Sequence, residues 1–182
     1  TELHKNYKPK TIKRKIATIR AYYNYLEVRE IIGENPFRKI QVKFKESVIL
    51  PRIIPREEIE RLLNYMYAQE DNCKKKTHAY WLRDIAVIET LFATGARVYE
   101  ISNIRAESVN LNTGLIKIMG KGGKERYVQI GSSDIIGILR KYYEHNVSEI
   151  KNSGFFFVNN RGNRYTEQSI RLMLKKYTKL AG

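Results

Sequence analysis

The chain has 182 residues and is 42% hydrophobic, enough to build one sizeable core. Its 34 basic against 19 acidic residues give a net charge of +15, which points to a polyanionic partner, nucleic acid first. No stretch approaches membrane-spanning length, and the single cysteine, Cys73, excludes an intrachain disulfide and suits a reducing, cytoplasmic setting.

The charge is uneven along the chain. Residues 1–50 carry 12 basic and five acidic side chains, and residues 151–182 carry seven and one. The stretch between them is nearly balanced at 15 and 13. A merely solubilising surface would not concentrate cations at both ends, so this asymmetry favours nucleic-acid binding. The chain opens on Thr1 rather than methionine, which suggests a piece of a longer protein.

From Pro9, Ile12, Ile16, Ile19, Tyr22, Tyr23 and Leu26 fall on one helical face, with Lys13, Arg14 and Arg20 off it. Asn35-Pro36 ends this segment. One amphipathic helix and a short second one cannot bury their own stripe, so residues 1–46 read as part of a small helical domain or as a helical arm that leans on something else. Residues 47–54 read as a linker. Pro55 suits the first turn of a helix with Glu57, Glu58 and Glu60 near its positive end and Ile59, Leu62, Leu63 and Met66 as its inner face.

The polar run Asn72–Thr77 reads as a loop, and a helix is expected over His78–Phe92 with Trp81, Ile85, Ile88 and Leu91 inward. Thr94-Gly95 stops it, and a short helix restarts near Arg97. Two segments of period-two alternation follow, Leu115–Met119 and Arg126–Ile130. Ser132 or Ser133 can cap a helix carrying Ile135, Ile138, Leu139 and Tyr142. Phe155–Val158 reads as a short strand and Asn159–Asn163 as a turn. Thr166 can cap a last helix with Ile170, Met173, Leu174 and Tyr177 inward. The fold class is therefore mainly α with a small antiparallel β-sheet.

Between the two strand segments lies Gly120-Lys121-Gly122-Gly123-Lys124. A Walker-type phosphate loop needs glycine, four residues, then Gly-Lys-Ser/Thr. Gly123-Lys124 is followed by Glu125 with Ile118 upstream, and Gly120-Lys121 by Gly122 with Leu115 upstream, so both registers fail. A dinucleotide fingerprint must open a helix, and a strand follows here. What remains is a flexible hairpin tip, either presenting Lys121 and Lys124 to a ligand or simply solvated.

"LFATGARVYEISNI", Leu91–Ile104, resembles the first active-site motif of the tyrosine recombinases, the phage integrase and Xer-type family, roughly Thr-Gly-x-Arg-x-x-Glu. "IKIMGKGGKERYVQI" resembles the β-hairpin of that family, and the 24 positions from Arg97 to Lys121 suit its order. "PRIIPREEIERLL" and "FFFVNNRGNRYTEQSIRLMLKKYTKLAG" are similar to the entry into its catalytic domain and to the strand, turn and helix after the hairpin.

This resemblance implies residues 1–46 as a partial core-binding domain, 47–54 as a linker and 55–182 as the N-terminal portion of an integrase-type catalytic domain. It implies Arg97 as a catalytic arginine whose planar fork holds the scissile phosphate. Glu100 would be an accessory acid, and Lys121 the general acid toward the departing 5′-oxygen. Lys124 and Arg126 would touch backbone phosphates. Lys13, Arg14, Arg20, Arg161, Arg164 and Arg171 complete the expected DNA contacts. The family cuts and rejoins DNA through a 3′-phosphotyrosyl link and works as a tetramer on duplex DNA. It needs no metal or cofactor, and neither a membrane nor a small-molecule substrate is implied.

The His-x-x-Arg element of the family is missing. His4, His78 and His145 lack an arginine three residues on, and no tyrosine is assigned as nucleophile. The chain alone is thus expected to be inactive. A non-catalytic module occupying recombination sites is the alternative, and a protein-interaction domain with basic surfaces is a third reading.

Overall fold

The computed structural model describes residues 6–39, 53–70 and 75–182, with backbone only at 75–77. The expected linker lies outside these up to residue 52, and the expected loop up to residue 74. The chain divides into two compact units, Thr1–Ile53 and Ile54–Gly182.

In the first unit, helix α1 spans Pro9–Val28, with Pro9 in its first turn, where the missing N–H costs nothing. A 3₁₀ turn follows at Pro36–Arg38. Asn35 joins the two and is almost fully buried. Its side chain accepts from Phe37 N at 2.8 Å and donates to Asn24, while its own N–H reaches Glu27 Oε1 at 3.1 Å. Tyr23 and Phe37 add a ring contact at 5.4 Å. The expected stripe is only partly covered: Ile12 is buried, whereas Ile19 and Tyr22 are exposed.

The second unit is built around helix α3. Helix α2 spans Arg56–Tyr67 with Glu57 and Glu58 in its first turn. Helix α3 spans Lys75–Thr94, one turn longer at its start than sequence periodicity predicts. Lys75–Thr77 are polar, so no apolar stripe announces this turn. From Trp81 to Thr90 every residue of α3 is buried. This helix is wrapped by its neighbours rather than resting one face on them. Burial of Leu82, Ile85 and Ile88 alone stabilises the fold by about 1.5–3 kcal/mol each. Trp81 is placed by its ring N–H, which donates to Met66 O at 2.6 Å at the end of α2.

Helix α4, Val98–Ser102, leads through a 3₁₀ turn into a three-stranded antiparallel sheet: β1 Val109–Asn110, β2 Leu115–Met119 and β3 Glu125–Gln129, in that order. Ile116 pairs with Val128 and Ile118 with Arg126. Ile116 and Ile118 face the core, as strand alternation requires. Helix α5 runs Ser133–His145, capped by Ser132. Helix α6, Val147–Ser153, was not legible in the sequence. The expected strand at Phe155–Val158 forms only two isolated bridges, Arg105 with Phe155 and Val158 with Arg164. Helix α7, Glu167–Ala181, starts at its predicted cap, Thr166.

A buried polar knot fixes α7 to α3. Arg83 donates to Asp84 Oδ1 through Nε at 2.9 Å and Nη2 at 2.7 Å, and to Asn160 Oδ1 at 2.8 Å. The hydroxyls of Tyr165 and Tyr177 donate to the same carboxylate at 3.5 and 3.3 Å. Burial pushes the Asp84 carboxyl above its usual range, against the pull of Arg83. Tyr142 is likewise enclosed, its hydroxyl accepting from Val158 N at 2.9 Å.

Candidate active site and nucleic-acid interface

Helix α3 ends at Thr94, and the chain turns through Gly95 and Ala96 to place Arg97 at the N-cap of α4. Glu100, one turn on, faces inward and is 3% exposed. Its Oε2 accepts the Arg97 backbone N–H at 2.9 Å, satisfying one of the donors that a helix start leaves open. Its Oε1 accepts from Arg97 Nη1 at 3.3 Å.

The same carboxylate receives the hairpin. Arg126, near the start of β3, donates through Nη2 to Oε2 at 2.7 Å and through Nη1 to Oε1 at 3.2 Å. Paired guanidinium–carboxylate bonds of this kind are the strong ones. Arg126, followed by the Arg97 backbone bond, draws the Glu100 carboxyl down to about 2 despite its burial.

The hairpin tip closes over this base. Gly120 N donates to Lys124 O at 2.7 Å, and Lys121–Gly123 form a single 3₁₀ turn. A Cβ on Gly120 would stand 3.2 Å from Lys124 O, 3.6 Å from Glu100 Oε1 and 3.8 Å from Arg126 Nη1, so the tip's root lies against the Glu100–Arg126 pair. Gly122 and Gly123 adopt φ of 77° and 75°, in the left-handed region that only glycine enters freely, and face open space. Lys121 and Lys124 are exposed on either side of them.

The structure therefore brings together Arg97, Glu100, Arg126 and the root of the Lys121 tip. Arg97 keeps a side chain 75% exposed, open to a ligand, whereas Arg126 is tied to Glu100. Sequence reasoning gave Arg126 to a phosphate. A pairing across 26 residues leaves no local sequence signal. Of the other candidate cations, Arg161 is exposed on the Asn159–Asn163 turn, Arg164 is half-buried, and Arg171 donates to Glu167 at 3.0 Å along α7. Lys13, Arg14 and Arg20 are exposed on α1 of the first unit. Among the described residues no group of three or more His, Cys, Asp or Glu could hold a metal ion, and no helix is long and apolar enough to cross a membrane.

The sequence model of the phage integrase family matches residues 52–182. The chain belongs to the phage integrase family. A tyrosine recombinase of Agathobacter rectalis is 44% identical over 99% of this chain and 59% of its own length. Tyrosine recombinase XerC of Staphylococcus epidermidis is 33% identical over 93% of this chain and 54% of its own. The chain thus spans little more than half the length of these relatives. The fold is shared with XerH site-specific recombinase bound to difH substrate, at a TM-score of 0.72 and 20% identity, covering 97% of this chain and 49% of that one. It is also shared with a lambda integrase tetramer bound to a Holliday junction, at a TM-score of 0.63 and 13% identity, covering 91% and 46%. This phage integrase family chain carries a small three-stranded antiparallel sheet packed with the helices of its second unit.

Proposed function

We propose that this chain is the part of a site-specific tyrosine recombinase that grips duplex DNA and supplies Arg97 and Lys121 to the scissile phosphate. In the parent protein a tyrosine attacks that phosphate, forms a 3′-phosphotyrosyl link and frees a 5′-hydroxyl, and a second hydroxyl reverses the step. The bond energy is conserved, and no cofactor is called on. Arg97 offers its fork to two phosphate oxygens and offsets charge that grows in the transition state. Lys121, on a tip with two left-handed glycines, swings to the leaving oxygen and gives up a proton. Glu100 holds Arg97 and the hairpin root in one frame.

The observation that carries this reading is the convergence of Arg97, Arg126 and the root of the Lys121 tip on one buried carboxylate. DNA-bound relatives with the same fold support duplex DNA as the ligand and other protomers as partners. No nucleophile is assigned in the chain itself. Tyr165 and Tyr177 are buried and committed to Asp84, so neither suits attack on DNA.

The test has two arms. The chain is titrated with labelled duplex across a salt series, with a steep loss of affinity expected as salt rises. In the parent, Arg97→Ala is assayed for covalent complex on a nicked suicide duplex. Loss of the covalent product with binding largely kept is the expected result. An unchanged yield would remove Arg97 from the reaction, and salt-insensitive binding would end the DNA reading.

A further inference from the structure

Away from the Arg97 centre, two further arginines share one aromatic ring. The Arg105 guanidinium lies 4.1 Å from the centroid of Phe155 and that of Arg164 5.6 Å from the same centroid. Neither is engaged by a carboxylate among the described residues. Glu107 stands on the same 3₁₀ turn as Arg105, and Glu149 packs against Gly162, but neither pairs with these cations.

The arrangement is held by backbone rather than by chance rotamers. Arg105 and Phe155 form an antiparallel bridge, with Ala106 N donating to Gly154 O at 3.1 Å and Phe156 N to Ile104 O at 2.9 Å. Gly154, at φ 72°, lies alongside the guanidinium: a Cβ there would meet Arg105 Nη1 at 3.6 Å, an ordinary contact distance. Arg164 is fixed from the other side. It bridges to Val158, and its Nη1 donates to Asn103 Oδ1. Asn103 in turn donates to Tyr99 O at 2.7 Å and is the C-cap residue of α4, the helix that Arg97 begins.

Two guanidiniums against one ring bring like charges near each other, and an anion bound by both would offset their repulsion. Their N–H groups are donors, which suits the tetrahedral oxygens of a phosphate.

We infer that Arg105 and Arg164, seated on Phe155, hold a single DNA backbone phosphate separate from the one taken by Arg97. The inference rests on the DNA-binding reading above and adds Arg105, which no sequence motif marks.

The test uses the 182-residue chain and a labelled duplex of arbitrary sequence, titrated over a salt series. Arg105→Gln, Arg164→Gln and the double variant are compared, and Phe155→Leu keeps both charges but removes the shared ring. Thermal melting of each variant establishes that it is folded. Each single arginine change is expected to weaken binding about five- to tenfold, as loss of a charge-assisted bond does. The double change is expected to cost less than the product of the two and to lower the salt slope by about 0.9 in all, one phosphate's worth. Phe155→Leu should weaken binding several-fold.

Wild-type affinity and slope in folded Arg105→Gln would overturn the inference while leaving the DNA reading intact. Multiplicative losses with twice that change in slope would overturn the sharing of one phosphate. A wild-type chain that fails to bind duplex in a salt-dependent way would overturn both.

Discussion

The anchored root and the tip of the β2–β3 hairpin lie close together and are opposite in physics. At the base, Glu100 takes bonds from Arg97 and from both Nη atoms of Arg126, with its side chain 2% exposed. At the tip, Lys121 and Lys124 flank two glycines where an added Cβ would meet nothing within 4 Å. A phosphate-handling site needs both kinds of part. One group must be fixed before the ligand arrives, and another must be able to move once it has.

The comparison breaks most completely at Glu100. Replacing it with alanine leaves two arginines without their carboxylate, and a loss of about 3 kcal/mol is expected in urea denaturation. The second unit should lose the protection of its hairpin amides first. A variant as stable as the parent chain would mean that the base is not ionically fixed.

Acid reaches the same carboxylate. Its folded value of about 2 lies below the ordinary 4.5, so its stabilisation is fully present above pH 4.5. It is lost as pH falls through 4.5 toward 2, amounting at most to roughly 3 kcal/mol. Melting curves of the parent chain and Glu100→Gln should therefore converge at low pH, and parallel curves would contradict the coupling.

A smaller effect is expected at the tip. Alanine at Gly122 or Gly123 must adopt positive φ, which costs about 1–2 kcal/mol. The strain should be local, shifting hairpin exchange rates while the core melts nearly as before. If either change unfolds the whole unit, the tip is not independent of the base. Least of all should Lys124→Ala move the melting temperature, since its side chain is exposed. Its expected effect is on the salt slope of duplex binding, lowered by about one contact.

How much of this was legible in the sequence depended on how far apart the partners lie. Helices with a clear apolar stripe and a cap, such as α7 after Thr166, read correctly because cap and stripe are local signals. The hairpin read correctly because two alternating segments flank a glycine-rich turn. Helix α6 is too short to show a period. Phe155–Val158 has strand composition yet finds isolated bridges to Arg105 and Arg164 rather than a full partner strand. In the candidate site, Arg97 and Glu100 could be singled out by a local motif. The commitment of Arg126 to Glu100 and the seating of Arg105 on Phe155 arise only once distant segments meet.

Two enclosed phenols give the fold an internal gauge. Burial raises the ionisation of Tyr142 and Tyr165 well beyond the ordinary phenol value. In an alkaline spectrophotometric titration these two rings should ionise only as the chain comes apart. Their signal would report the integrity of the packing around α5 and of the α3–α7 contacts without any added label.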